Sequence, residues 1–461
     1  MTRDVMTRWG LGRYTLRAIS TPPIPAEPFL PAAPEWVSSK LGSLEVVVAP
    51  WSTVPMVEMR LVVELPTEEL KRPARTTVLA ESMMAGTAKL DRAGLATAVE
   101  KLGGDLDAAV HDDHVVISGS VLAGQLGPYL DIVREVLEEA TYPQSEVDSD
   151  RHRLAEEATV SLSQPEVIVG EALARRLFGR HPYSTPLPRP QELIRVSAGA
   201  LRSLHSRLLR PERASLVLVG AIDPEETVRV VGDALGSWAA SDGLASSDIE
   251  RPAPPKAGPV DLVEREGAVQ TNIRLGRLVP ARQDADWPAF SLVNMAFGGM
   301  FSSRLVESLR ERHGYTYSPH SRVRHARAAS ALVIQMEVAT EVTAPAMAEL
   351  LHELARCCLV GFRGEEVDNA RRYALGSFAY STATQAGMAS TIASLVADGT
   401  SPSYLRSYPE ALREVSVDEV NAQAARYLVP QEMVKVLLGD ASRVEGPLAK
   451  LFEVKRGLAW K

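Results

Sequence analysis

Arg310 and Tyr317 stand seven residues apart in FGGMFSSRLVESLRERHGYTYS, residues 297–318. Arginine offers five donors in a fixed fork and tyrosine is a neutral donor near pH 7, so such a pair suits a polarised carbonyl. Leu305, Val306 and Leu309 predict a short amphipathic helix, with Arg312 and His313 in its last turn and Gly314 ending it. Tyr315 and Tyr317 would then share one face of a strand, and Arg310 and Tyr317 could point into one cleft. On spacing alone the plainer reading, a solvated arginine beside a half-buried tyrosine, is favoured.

Other residue types invite chemistry and are answered by spacing. His111 and His114 form an H-x-x-H. On a continuous strand, residues three apart face opposite ways, so both rings reach one ion only if the strand breaks there. Surface histidines are the expectation. Cys357 and Cys358, the only cysteines, are adjacent and continue the helical pattern Met347, Leu350, Leu351, Leu354. Neighbours do not fit normal disulfide geometry, which predicts buried thiols. Gly298-Gly299 lacks the G-x-G-x-x-G frame of a nucleotide loop. TTVLAESMMAGT, residues 76–87, reads as a short amphipathic helix: Leu79 and Met83 lie four apart, and Gly86 is placed to close it.

The elements that must position these residues come twice. VSAGALRSLHSRLLRPERASLVLVG from Val196 and VSVDEVNAQAARYLVPQEMVKVLLG from Val415 share one gap-free offset, with Ser197/Ser416, Arg207/Arg426, Leu209/Leu428 and Pro211/Pro430 coinciding. EVDSDRHR at Glu146 echoes EVDNARRY at Glu366. This is a duplicated domain. The Ser-, Gly- and Pro-rich stretch from Ala240 reads as the seam. The expected division is an N-terminal extension at 1–35, a first domain at 36–239, a linker at 240–258 and a second domain at 259–461.

Within each half, strands precede helices. LEVVVAP, MVEMRLVVELP and TNIRLGRL read as early strands. DRAGLATAVEKLGG reads as a helix capped by Asp91 and stopped by Gly103. DAAVHDDHVVISGSV reads as one long strand, GPYLDIVREVLEEA as a helix, and SLVLVG as the closing strand. The expected class is α+β, with two tandem domains, each an antiparallel-rich sheet with helices on one face.

Bulk properties exclude several classes. With 45% hydrophobic residues the chain can bury large cores, and a formal net charge of −8 argues against nucleic-acid binding. No apolar run reaches 18 residues, so no membrane span is expected. The Arg-bearing first 20 residues lack the apolar core of a secretory signal, which predicts a cytoplasmic protein, and the Pro-rich stretch that follows reads as an extended arm.

The tandem halves, the phrase GG-x-F-x-SRL and the helix-Gly-Tyr segment together resemble the pitrilysin/insulinase family of zinc peptidases, over residues from about 36 to 461. That family carries H-x-x-E-H on a helix ending in Gly-Thr. Aligning on Gly86-Thr87, the resemblance puts Thr77 and Glu81 where both histidines should be and Ala80 at the catalytic glutamate. The distal motif falls on Asp150 to Glu157, so that Glu157 matches the third ligand and survives alone. One carboxylate cannot make a zinc site that needs three protein ligands and a water, and without the glutamate no general base remains. Arg310 and Tyr317 keep the spacing of the family's substrate-contacting pair.

The resemblance therefore implies a zinc-free subunit with no cofactor of its own. Its partner would be a homologous chain carrying H-x-x-E-H and zinc, and peptide or unfolded polypeptide would be the substrate. A structural core-type subunit or a peptide-binding scaffold is the alternative. The short FGGMFSS favours the smaller bacterial members over processing peptidases, whose non-catalytic chain has a long glycine-rich loop.

Overall fold

The computed structural model describes residues 34–184, 187–240 and 249–457. Residues 1–33 of the expected extension and 241–248 of the expected linker lie outside these.

Two six-stranded sheets organise the chain. The first contains β1 (Val37–Leu41), β2 (Leu44–Pro50), β3 (Met56–Glu64), β4 (Asp105–Val110), β5 (His114–Leu122) and β6 (Ala214–Gly220), in the order β1-β2-β6-β3-β5-β4. The second contains β7 (Val260–Glu264), β8 (Gln270–Val279), β9 (His320–Ala326), β10 (Ala329–Ala339), β11 (Val434–Gly439) and β12 (Val454–Arg456), in the order β12-β7-β11-β8-β10-β9. The sequence repeat reappears as topology. β6 slots between β2 and β3, parallel to the former and antiparallel to the latter, and β11 slots between β7 and β8 in the same way. Ser197 and Ser416 cap equivalent helices, accepting from the Ala200 and Glu419 amides.

The expected α+β class holds, and each half stacks its own helices on one face of its sheet. Val46, Val48, Leu216 and Leu218 point into that core in the first half. The alternate residues Val47, Ala49, Val217 and Val219 are equally buried, and what covers them is a helix of the second half, Gln385–Ala397, through Met388, Ala389 and Ile392. The reciprocal contact exists. Helix Pro165–Phe178 of the first half lays Ile168, Val169, Leu173 and Leu177 on Val434, Val436 and Leu438 of the second sheet. Strands apolar on both faces read as unbroken apolar runs, which is why LEVVVAP and SLVLVG do not alternate. Polar contacts fix the exchange: Gln385 bonds Thr53, the Val54 amide and the Met56 carbonyl, and Arg176 pairs with Asp261 at 2.5 Å.

One predicted element is corrected. DAAVHDDHVVISGSV is a hairpin, not one strand: β4 ends at Val110, β5 begins at His114, and the His111 amide donates to the His114 carbonyl across the turn. Asp113 explains the break. Its buried carboxylate accepts from the Tyr183 hydroxyl (2.7 Å) and the Arg327 amide (2.8 Å), so the turn is tied to both halves. The break also brings the His111 and His114 rings into a stack at 4.8 Å. Even so, the described residues contain no group of three or more His, Cys, Asp or Glu side chains arranged to hold a metal ion.

Candidate active-site remnant and cleft

Helix Pro73–Glu81 carries Thr77, Ala80 and Glu81. It ends five residues before Gly86, at Glu81 with Ser82 as its C-cap, so Gly86 does not close it. Just past its end, the Ser82 hydroxyl donates to buried Asp150 (2.7 Å), which also accepts from Arg92 (2.6 Å). These bonds dock the helix on Gln144–Ser161, the helix that carries Glu157. Ala80 is buried, and Thr77 and Glu81 lie one turn apart on one face.

The geometry brings Glu81 and Glu157 together through a third residue. Arg153 donates to Glu157 at 2.7 Å and also contacts Glu81. The Glu157 carboxylate, and then that of Glu81, holds the Arg153 guanidinium above its ordinary range. A half-exposed cation thus bridges both acids at the place where the resemblance puts a metal. Thr77 and Ala80 offer no imidazole or carboxylate, and arginine offers donors only. This donor set does not fit zinc.

Arg310 and Tyr317 meet in an unexpected way. Residues Val306–Arg312 form a π-type helix, a rare wide turn often found at functional sites. Gly314 follows at φ +64°, a conformation that favours glycine. Beyond it, Tyr315 and Tyr317 are not on a strand, since β9 starts only at His320. Tyr315 is half-buried, stacked on His313 and packed against the second core. Tyr317 is 78% exposed. The Arg310 guanidinium lies between two rings, 4.9 Å from Phe301 and 4.7 Å from Tyr317. Phe301 is exposed as well. The stack presents the Tyr317 phenol outward, while half-buried Arg310 also pairs with Glu311 at 3.3 Å.

Arg304 of the same phrase is structural. It grips Glu366 at 2.7 and 3.0 Å and the Gly361 carbonyl at 2.7 Å, and lies over the Phe362 ring. Burial opposes ionisation of Glu366, but the bonds from Arg304 outweigh it and hold the carboxyl down at about 2. Cys357 lies buried beside Arg304, and burial pushes its thiol up to about 12. Cys358 is half-buried, and its thiol lies 3.5 Å from the Ala425 carbonyl. Both are free thiols.

A cleft of about 720 Å³ opens between the halves. Thr77 lies on its wall, whereas Arg310 and Tyr317 do not. Opposite the first half it is lined by Arg274, Arg322 and Arg324 of the second sheet. Sequence reasoning passed over these three, although the R-V-R alternation at 322–324 puts two arginines on one strand face.

Two homologous α+β halves with interleaved helices enclose the cleft. Two family models match: the insulinase (peptidase family M16) model over residues 76–191 and the peptidase M16 inactive domain over 195–373. Together they span most of the chain, and the chain belongs to peptidase family M16.

Curated relatives include an uncharacterized zinc protease of Mycobacterium leprae, 28% identical over 49% of this chain and 51% of that protein. Another, from Streptomyces coelicolor, is 25% identical over 53% and 54%. The match spans about half the length of these relatives. Among solved structures, a peptidase M16 inactive domain from Pseudomonas fluorescens has TM-score 0.81 at 24% identity, covering 88% of this chain and 98% of that one. The periplasmic protease PqqL of Escherichia coli has TM-score 0.71 at 17% identity, with 94% of this chain aligned to 52% of that one. At these identities the structural likeness speaks for the fold.

Proposed function

We propose that this chain is the non-catalytic subunit of a heterodimeric zinc metallopeptidase. The observation that carries the reading is the contrast between two sites. The position aligned with the metal motif is bridged by Glu81–Arg153–Glu157, while half-buried Arg310 stacks on exposed Tyr317, and both lie outside the chain's own cleft. A donor pair without a reacting centre in its own chain is suited to one supplied by a partner.

The partner would be a homologous H-x-x-E-H chain whose zinc activates water. Arg310 and Tyr317 would hold the substrate carbonyl there and stabilise the charge developing on its oxygen. The relatives named as zinc proteases support the peptidase setting. PqqL supports pairing, because this chain aligns to only about half of it. The reading takes 36–239 and 259–461 as the two domains and a cytoplasmic location. Among the described residues no helix is long and apolar enough to cross a membrane.

The test is purification from the native host with mass spectrometry of associated chains, and metal analysis by plasma emission. The expected result is a homologous H-x-x-E-H chain holding the zinc, with none in this chain alone. Stoichiometric zinc in the isolated chain, or no homologous partner, would overturn the reading.

A further inference from the structure

The cleft between the halves has one wall that the proposed peptidase role does not use. Arg322 on β9 stands opposite Val333 of β10, Arg324 opposite Ala331, and Arg274 of β8 opposite Gln335, so the three arginines share one face of the second sheet. Helix Pro165–Phe178 covers the β8 and β11 side of that face with Leu173 and Leu177. The part toward edge strand β9 is left open and forms the cleft.

Two of the arginines are neutralised. Arg274, 4% exposed, donates to Glu337 at 2.9 Å, and Arg324 contacts both oxygens of Asp112 at 2.6 and 2.8 Å. Arg322 has no carboxylate within ion-pairing distance among the described residues. Desolvation and then the charges of Arg324 and Arg274 hold it below its ordinary value, against the opposing pull of Asp112. The remaining walls mix apolar Leu173, Leu177, Phe178 and Val333 with His111, Asp112, Glu166 and His325. A cleft of this volume accommodates a ligand of several residues rather than a single ion.

We propose that this cleft binds an extended, largely apolar peptide segment through one acidic side chain paired to Arg322. The carboxylate supplies the missing counter-charge and can meet the guanidinium bidentately. Apolar neighbours fill the space against Leu173, Leu177 and Val333. With Arg274 and Arg324 already paired, the guanidinium left to meet a ligand charge is that of Arg322, which favours an acidic over a basic side chain there. The inference stands on the cleft alone and holds whether or not a zinc-bearing partner exists.

The test uses the full chain by itself and three short fluorescein-labelled apolar peptides, read by anisotropy. One is capped at both ends with a central glutamate, one has glutamine there, and one has glutamine with a free C-terminus. The glutamate peptide is expected to bind at least about tenfold tighter than the capped glutamine peptide. Arg322→Ala should erase that difference and Arg322→Lys should restore part of it, with melting temperature unchanged because Arg322 is exposed and unpaired. Equal binding of the capped glutamate and glutamine peptides would overturn the proposal, as would a preference that survives Arg322→Ala. A free-terminus peptide that matches the glutamate peptide would overturn the side-chain assignment.

Discussion

The proposed role of Tyr317 and Arg310 rests on one hydroxyl and one guanidinium already held in contact, with Arg310 also against the Phe301 ring. In the reconstituted pair, Tyr317→Phe and Arg310→Ala are each expected to lower peptidase turnover by about 10²–10³-fold, a typical cost of losing one such donor. Steady-state kinetics should put the loss mainly on kcat if the contact strengthens in the transition state. Tyr315→Phe is the control, because Tyr315 packs inward against the second core. Full activity in both variants would make the pair merely structural.

The metal position gives a second prediction. Thr77→His, Ala80→Glu and Glu81→His together restore the family's residue types beside Glu157. The variant should take up zinc measurably on dialysis, and more tightly once Arg153→Ala removes the competing cation. Absence of zinc from the quadruple variant would show that the helix pair no longer holds ligand geometry.

At the scale of elements, the strands and most helices were legible because periodicity and caps are local. Asp91 caps its helix as its spacing predicts, accepting from the Gly94 amide at 2.7 Å. What was not legible depended on distant contacts. The hairpin at His111–Asp113 has no Gly or Pro to announce it and is set by Tyr183 and Arg327. The π-type turn at Val306–Arg312 has the apolar spacing of an ordinary helix. The spacing of Leu173 and Leu177 says that they are buried, not that their counterpart belongs to the other half. In the candidate site, the motif frame pointed to Glu81 and Glu157 but not to the Arg153 bridge between them, which closes only when two helices dock.

The exchanged helices make a direct prediction. Leu173→Ala and Ile392→Ala each open a cavity at the contact between halves and should cost about 2–5 kcal/mol. Urea melts followed by probes in each half should shift together, because each helix completes the other half's core. Separate transitions would show that the exchange contributes little.

The Arg304–Glu366 clamp adds a pH dependence. The Glu366 carboxyl is held near 2 when folded, against 4.5 ordinarily. Its contribution is therefore fully present above about pH 4.5 and is lost as pH falls toward 2. Glu366→Gln should lower stability at pH 7 by about 1.5–3 kcal/mol and flatten that acid segment in urea midpoints taken from pH 5 downward.

For the whole molecule, the proposed pairing implies a large buried surface, on the order of 2,000 Å² or more for an obligate complex. Sedimentation with the H-x-x-E-H chain should give a heterodimer at micromolar concentration, and two monomers would exclude the shared arrangement. The interleaving of the halves also bears on how the chain emerges from the ribosome. When the first half has been made, Val47, Ala49, Val217 and Val219 form an apolar sheet face whose cover, Gln385–Ala397, is not yet translated. At ordinary elongation rates that face waits on the order of 10–30 s. Such a nascent surface is sticky for far longer than the microseconds that hydrophobic collapse requires. The duplication thus obliges the first half to wait, with one apolar sheet face uncovered, for a helix that starts only at Gln385, whatever the finished protein binds.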